Sequence, residues 1–142
     1  MGTSKSKRRV KIVESIASAI SSKKIFDTID YRNRNEDYIK QYMHQPLINE
    51  LEELYENLEL SKSMDKDIVK QKAKDCLLWE GDVNTTVNNF TFFGTQHRPD
   101  FVVKIDKLSV AVEVKKGETG SSLREGIGQS LVYSSAFDFV VY

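Results

Sequence analysis

Cysteine is nearly absent. Cys76 stands alone, so no internal disulfide can close and no cysteine-based zinc centre can be assembled. That usage fits a reducing compartment, and the sequence reads as cytoplasmic. Long apolar runs are missing as well. Nothing approaches the roughly 20 residues a membrane helix needs, and the basic start is not followed by the apolar core of a signal peptide, which argues against a membrane partner. Net charge is the third thing lacking. With 21 Lys plus Arg against 21 Asp plus Glu, any nucleic acid must be met by local patches, not by an overall basic field.

What is present suffices for one core. A chain of 142 residues with 39% apolar content is too apolar to be wholly disordered and too short for two sturdy domains, so one domain with an N-terminal extension is expected. Charge is unevenly spread. Lys5, Lys7, Arg8, Arg9 and Lys11 form a basic start, and Glu50, Glu52, Glu53, Glu56 and Glu59 form an acidic stretch. A basic start can meet phosphates nonspecifically, but charged termini are usually just solvated.

Hydrophobic spacing orders the chain. Val10, Val13, Ile16 and Ile20 predict a short helix ending near Ser22, after a mobile polar lead. A second helical pattern starts near Asp37 and carries Ile39, Tyr42, Leu47, Leu51, Leu54 and Leu58 to about Glu59, with Pro46 expected to kink or restart it. A third spans roughly 65–79. From residue 82 through Phe93, Val, Thr and Phe replace helix formers and predict a strand. Phe101 to Ile105 and Ser109 to Lys115 read as two more strands about an Asp106-Lys107 turn. Ser121 or Ser122 is expected to cap the next helix, with Glu125 completing a capping box, and that helix should run to about Ser135. Phe137 to Tyr142 reads as a final buried strand, an odd place to stop that points to a longer parent protein. The order predicts a mixed α/β core around one sheet.

The second hairpin strand carries the chemistry. Side chains alternate along a strand, so Val110, Val112 and Val114 share one face while Glu113 and Lys115 share the other. Turning about Asp106-Lys107 with an even loop pairs residues whose numbers sum to 213, which sets Asp100 opposite Glu113; an odd loop would shift the pairing by one. Opposed carboxylates repel unless a cation or proton lies between them. Oxygen-only ligands suit Mg²⁺ or Mn²⁺ bound to phosphate oxygens, and Lys115 can orient water or neutralise developing charge. From spacing alone, a half-exposed sheet with solvent-facing charges explains the pattern equally well.

Arg98-Pro99-Asp100, Glu113-Val114-Lys115 and Gln129-Ser130-Leu131-Val132-Tyr133 resemble three motifs of the PD-(D/E)XK nuclease superfamily: P-D, E-x-K, and the Q-x-x-x-Y of its RecB-like members. The match covers roughly residues 80–142, with twelve residues between the two carboxylates. The upstream segment 35–40, leading to Gln45-Pro46-Leu47-Ile48, resembles the N-terminal nuclease region of type I restriction enzyme motor subunits. No G-x-x-x-x-G-K-[ST] occurs, so no ATP-driven motor is encoded here.

The resemblance implies a restriction-endonuclease-like αβββαβ core with a mixed central sheet and additional N-terminal helices. Residues 1–34 would be the basic extension and 35–142 the nuclease domain. It implies Mg-dependent hydrolysis of DNA by a restriction or repair module, with Asp100, Glu113, Lys115, Gln129 and Tyr133 as catalytic residues. Asp100, Glu113, the backbone carbonyl of Val114 and an upstream acid would hold Mg²⁺ or Mn²⁺. That acid is Glu36, with Glu50 as the alternative. Gln129 and Tyr133, four apart, fall on one helix face, where Gln can hold a phosphate or a lysine and Tyr can contact DNA. Tyr133 as packing is the plainer reading. Lys116 and Arg124 flank the site as candidate DNA-backbone contacts. Gly126 and Gly128 suggest close backbone approach to the sheet or a phosphate. His97 can approach a metal or phosphate but reads better as a surface residue, His44 has no assigned role, and Trp79 reads as packing. A catalytically silent DNA-binding or assembly module and a dimeric Holliday-junction resolvase are the competing functions, and a homodimer or a larger assembly fits the family.

Overall fold

A computed structural model describes residues 2–58, 64–82, 87–117 and 119–142, with residues 2–4 described by their backbone only. Helix α1 (Gly2–Ile20) begins well before the apolar periodicity does. Its basic lead is tethered: Arg8 meets Asp106 at 2.8 Å and Arg9 meets Asp138 at 3.1 Å, both exposed pairs of small energetic worth. The expected mobile start and Val10 boundary are thus corrected, because long straight-chain residues favour helix even where none is buried. A short helix, α2 (Lys23–Asp27), follows and buries Ile25.

Helix α3 (Glu36–Asn57) starts where Asn35 accepts the Tyr38 N–H at 2.9 Å, with Glu36 and Asp37 placed favourably in its first turn. It runs on through Pro46 as one helix, so of the expected kink or restart the restart does not occur. The turn whose hydrogen bond Pro46 removes lies around Tyr42, which is 52% exposed, so water can serve the freed carbonyl. Helix α4 (Lys66–Cys76) begins at Asp65, whose side chain accepts from Asp67 N–H, and stops three residues short of the predicted end.

Those three residues form β1 (Leu77–Trp79), which pairs antiparallel with β4 (Phe101–Ile105) in the register Leu77↔Val103. Pairing with an open sheet edge outweighs the helical pattern here, since apolar spacing alone fits either state. The strand expected over 82–93 is reduced to β2 (Phe90–Phe92), hairpinned to β3 (Thr95–His97) in a separate two-stranded sheet. Residues 83–86 of that prediction lie outside the described residues.

β4 and β5 (Leu108–Val112) pair Phe101↔Val112 through Ile105↔Leu108, every pair summing to 213 as the even loop required. The turn is the two-residue one, with Asp106 at φ 50° and Lys107 at φ 67°. The ladder ends at Val112, shorter than the predicted strand to Lys115. Helix α5 (Gly120–Tyr133) is capped by Thr119, whose hydroxyl accepts from Ser122 N–H at 3.1 Å, so the Ser121 or Ser122 cap and the Glu125 capping box do not form. The last strand, β6 (Phe139–Val141), runs parallel to β5 as the sheet edge, giving the order β1-β4-β5-β6. It is only half-buried, not the buried strand expected.

The architecture is therefore mixed α/β, with one mixed four-stranded sheet. Phe101, Val103, Ile105, Leu108, Val110 and Val112 share a core with Ile12, Ile16, Met43, Leu47, Leu51 and Val69 from α1, α3 and α4. On the other face, Val102 lines a cleft with Val87, Phe90 and Phe137, and Phe90 packs edge-on to Tyr133 of α5. No described helix is long and apolar enough to cross a membrane.

Candidate active site

The site forms where the β4–β5 ladder runs out. Asp100 precedes β4 and Glu113 follows β5, and the 213 register carries one step past the last pair to set them side by side. Both are buried, at 7% and 6% exposure, the two charged residues in the otherwise apolar buried set among the described residues. Burial raises Glu113 above the usual carboxylate range, and the neighbouring charge of Asp100 raises it further. Val114 N–H donates to Asp100 Oδ2 at 2.8 Å, which ties the entry of one strand to the exit of the other.

Lys115 lies 3.3 Å from Glu113 Oε1 and 3.9 Å from Glu36 Oε2. Burial works against its charge, but Glu113 and Glu36 outweigh it and hold the ammonium above its ordinary value. The choice between upstream acids is decided by geometry. Glu36 opens α3 beside the site and accepts Lys116 N–H at 3.2 Å. Glu50 lies about 21 Å further along the helix at 1.5 Å per residue, 3.7 Å from Lys24.

Three residues the sequence reading missed complete the cluster. Lys40 Nζ sits 3.0 Å from both Asp100 Oδ1 and Glu80 Oε1 and 3.3 Å from Asp37. Burial opposes its charge, yet Asp100 and Glu80 raise it well above a free lysine. Arg98 reaches the other oxygen of Glu80 at 3.1 Å. A signal for Lys40 existed: it falls four after Glu36, hence on the same helix face. Glu80 carried none, because its approach depends on β1 pairing with β4.

Tyr133 is 2% exposed and its hydroxyl donates to the Arg98 carbonyl at 3.1 Å. Burial, then the charge of Glu113 and a hydrogen-bonding approach to its carboxylate, then Asp100 and Glu80, push its pKa far up, so it stays a neutral donor. It holds the Arg98-Pro99-Asp100 segment and does not reach solvent, which corrects the idea that it touches DNA. Gln129, one turn earlier on α5, has a buried Oε1 without a partner. Glu113 Oε2 is in the same condition, and these two are the unsatisfied buried side-chain atoms among the described residues. Such atoms are rare in folded proteins and call for an explanation, often an ion or a ligand.

Arg124 is exposed on α5 and does not line the cleft that holds Lys116. Gly126 meets the Tyr142 ring where a Cβ would stand, so its close approach is to the end of the sheet; Gly128 faces open space and needs no such account. His97 packs its ring at 5.9 Å from Phe90. His44 stacks on Trp79 at 4.6 Å, which makes both packing residues.

Among the described residues, no group of three or more His, Cys, Asp or Glu converges as a metal cluster, and Lys40 and Lys115 pair with Asp100 and Glu113. The donor set still fits a hard divalent ion. Asp100 and Glu113, the latter with an unpartnered oxygen, are the hard oxygen donors that an ion such as magnesium would take, since it keeps much of its water and needs few protein ligands. No family model, curated protein or solved structure matches the chain.

Proposed function

We propose that the protein is a metal-dependent nuclease of the PD-(D/E)XK type, hydrolysing DNA phosphodiester bonds with Asp100, Glu113 and Lys115 at its centre. The observation that carries this reading is the buried, coupled carboxylate pair at the hairpin's end, with one Glu113 oxygen unsatisfied and Lys115 beside it. Lys40 and Lys115 each offset one of the two acids, but Glu113 Oε2 is left without a partner, and a divalent cation would satisfy it. With α4 and the separate β2–β3 hairpin read as insertions, the order α3, β1, β4, β5, α5, β6 is compatible with the αβββαβ arrangement that the resemblance implies.

Asp100, Glu113 and the Val114 carbonyl would hold Mg²⁺ or Mn²⁺, with Glu36 beside them. Held there, such an ion would supply Lewis acidity at a phosphate and lower the pKa of water. Lys115, held charged by its acidic neighbours, donates to the attacking water or a phosphoryl oxygen. Gln129 carries a buried amide oxygen without a partner one turn before Tyr133, and Tyr133 fixes Asp100 through the Arg98 carbonyl. A restriction or repair setting, within a homodimer or larger assembly, suits this chemistry.

The test is cleavage of supercoiled plasmid and linear duplex by wild type and Lys115→Ala, with Mg²⁺, Mn²⁺ or chelator. The expected result is metal-dependent cutting lost in the variant, with loss on the circle identifying internal cleavage. No cutting by folded, metal-loaded wild type would overturn the reading.

A further inference from the structure

A cleft of about 380 Å³ opens beside the catalytic cluster, lined by Asn33, Arg34 and Asn35 on one side and Lys116, Gly117 and Ser122 on the other, with Glu36 as the wall it shares with the cluster. Its two cations come from different elements. Arg34 precedes α3, with its guanidinium 5.1 Å from the Tyr38 ring centroid and a loose 3.9 Å pairing to Asp30. Lys116 follows the catalytic strand, its backbone N–H fixed on Glu36 at 3.2 Å. Gly117 turns the chain at φ 68° and has open space where a Cβ would stand, so the mouth stays clear.

The lining is polar throughout and contains no aromatic face on which a base could stack. It offers hydroxyl, amide and two cations. The beginnings of α3 and α5 both border it, which adds the favourable ends of two helix dipoles to the same sign of field. The carboxylate of Glu36 opposes an anion here, but it already accepts Lys116 N–H and lies 3.9 Å from Lys115.

We propose that this cleft binds a backbone phosphate of the nucleic-acid strand being cut, adjacent to the reacting linkage, with Arg34 and Lys116 as its charged contacts and Asn33 and Ser122 as polar ones. The assignment of the strand rests on the nuclease reading. The affinity for phosphate rests on the cleft's own residues.

The experiment measures binding of a short labelled DNA duplex, by anisotropy over a salt series, to the uncutting Lys115→Ala protein and to the same protein carrying Arg34→Ala, Lys116→Ala or the surface control Lys72→Ala, all checked by thermal melting. Each cleft substitution is expected to weaken binding several-fold regardless of sequence, and to reduce the slope of log K against log salt by about 0.9 per lost phosphate contact, with the control unchanged. Cleavage by wild type, with cleft variants that keep the parent slope, would overturn the subsite and leave the nuclease reading standing. Arg34- and Lys116-dependent binding without any wild-type cleavage would sustain the subsite while sinking the chemistry. Absence of binding by the parent would overturn both.

Discussion

At the residue scale, Glu113 is held against its own preference. Its folded pKa is raised above the ordinary 4.5 by burial and by Asp100. Between those two values the folded state keeps a proton that the unfolded state has released. Stability therefore falls as pH rises through that window, and the loss is complete above the raised value. Glu113→Gln is expected to raise the melting temperature of the metal-free protein at neutral pH and to abolish both cleavage and the stabilisation that added Mg²⁺ gives the wild type. Melting curves with Mg²⁺ and with chelator read both effects, and a variant less stable than wild type without metal would contradict the account. Lys40 does the opposite work. It compensates Asp100 and Glu80 at 3.0 Å each, so Lys40→Met should destabilise the metal-free protein by about 2 kcal/mol and make it more responsive to Mg²⁺. Urea unfolding with and without the ion separates the two outcomes.

At the element scale, the β4–β5 turn sets the whole site. Asp106 and Lys107 both adopt positive φ, which costs a residue with a Cβ about 1–2 kcal/mol but matches the twist of the flanking strands. Lys107→Gly should relieve that strain, and after the entropy glycine adds to the unfolded chain the net gain is about 0.5 kcal/mol. A higher urea midpoint at unchanged m value is the expected reading, with cleavage unaffected because the 213 register is kept. A one-residue deletion of the turn has no such tolerance, since it makes the loop odd and shifts the pairing that sets Asp100 opposite Glu113.

At the scale of the whole molecule, one apolar core joins the N-terminal helices to the catalytic hairpin. Ile16 of α1 is fully buried in the same cluster as Val103 and Val110. Ile16→Ala should cost roughly 2–5 kcal/mol. The loss should appear equally in the exchange protection of α1 amides and of the distant β4–β5 ladder, because both belong to one packed unit. Protection lost from α1 alone would show that the helix unfolds independently.

The sequence by itself determined the parts governed by short-range alternation and turns. Strand period two placed Glu113 and Lys115 on one face, and an even loop set the 213 pairing, so the central carboxylate pair was legible in the order of residues alone. The α3 start was legible to within a residue, since the apolar spacing placed it near Asp37 and the helix begins at Glu36. Only the tertiary structure decided the rest. Leu77–Trp79 became a strand because an edge of β4 was there to pair with, and periodicity over so few residues cannot distinguish the states. Thr119 rather than Ser122 took the cap, a choice among neighbouring hydroxyls that depends on how the chain enters the helix. Glu36 rather than Glu50 faced the site, and Glu80 and Arg98 joined it, because electrostatic partners are set by distances across the packed molecule, which spacing along the chain does not encode.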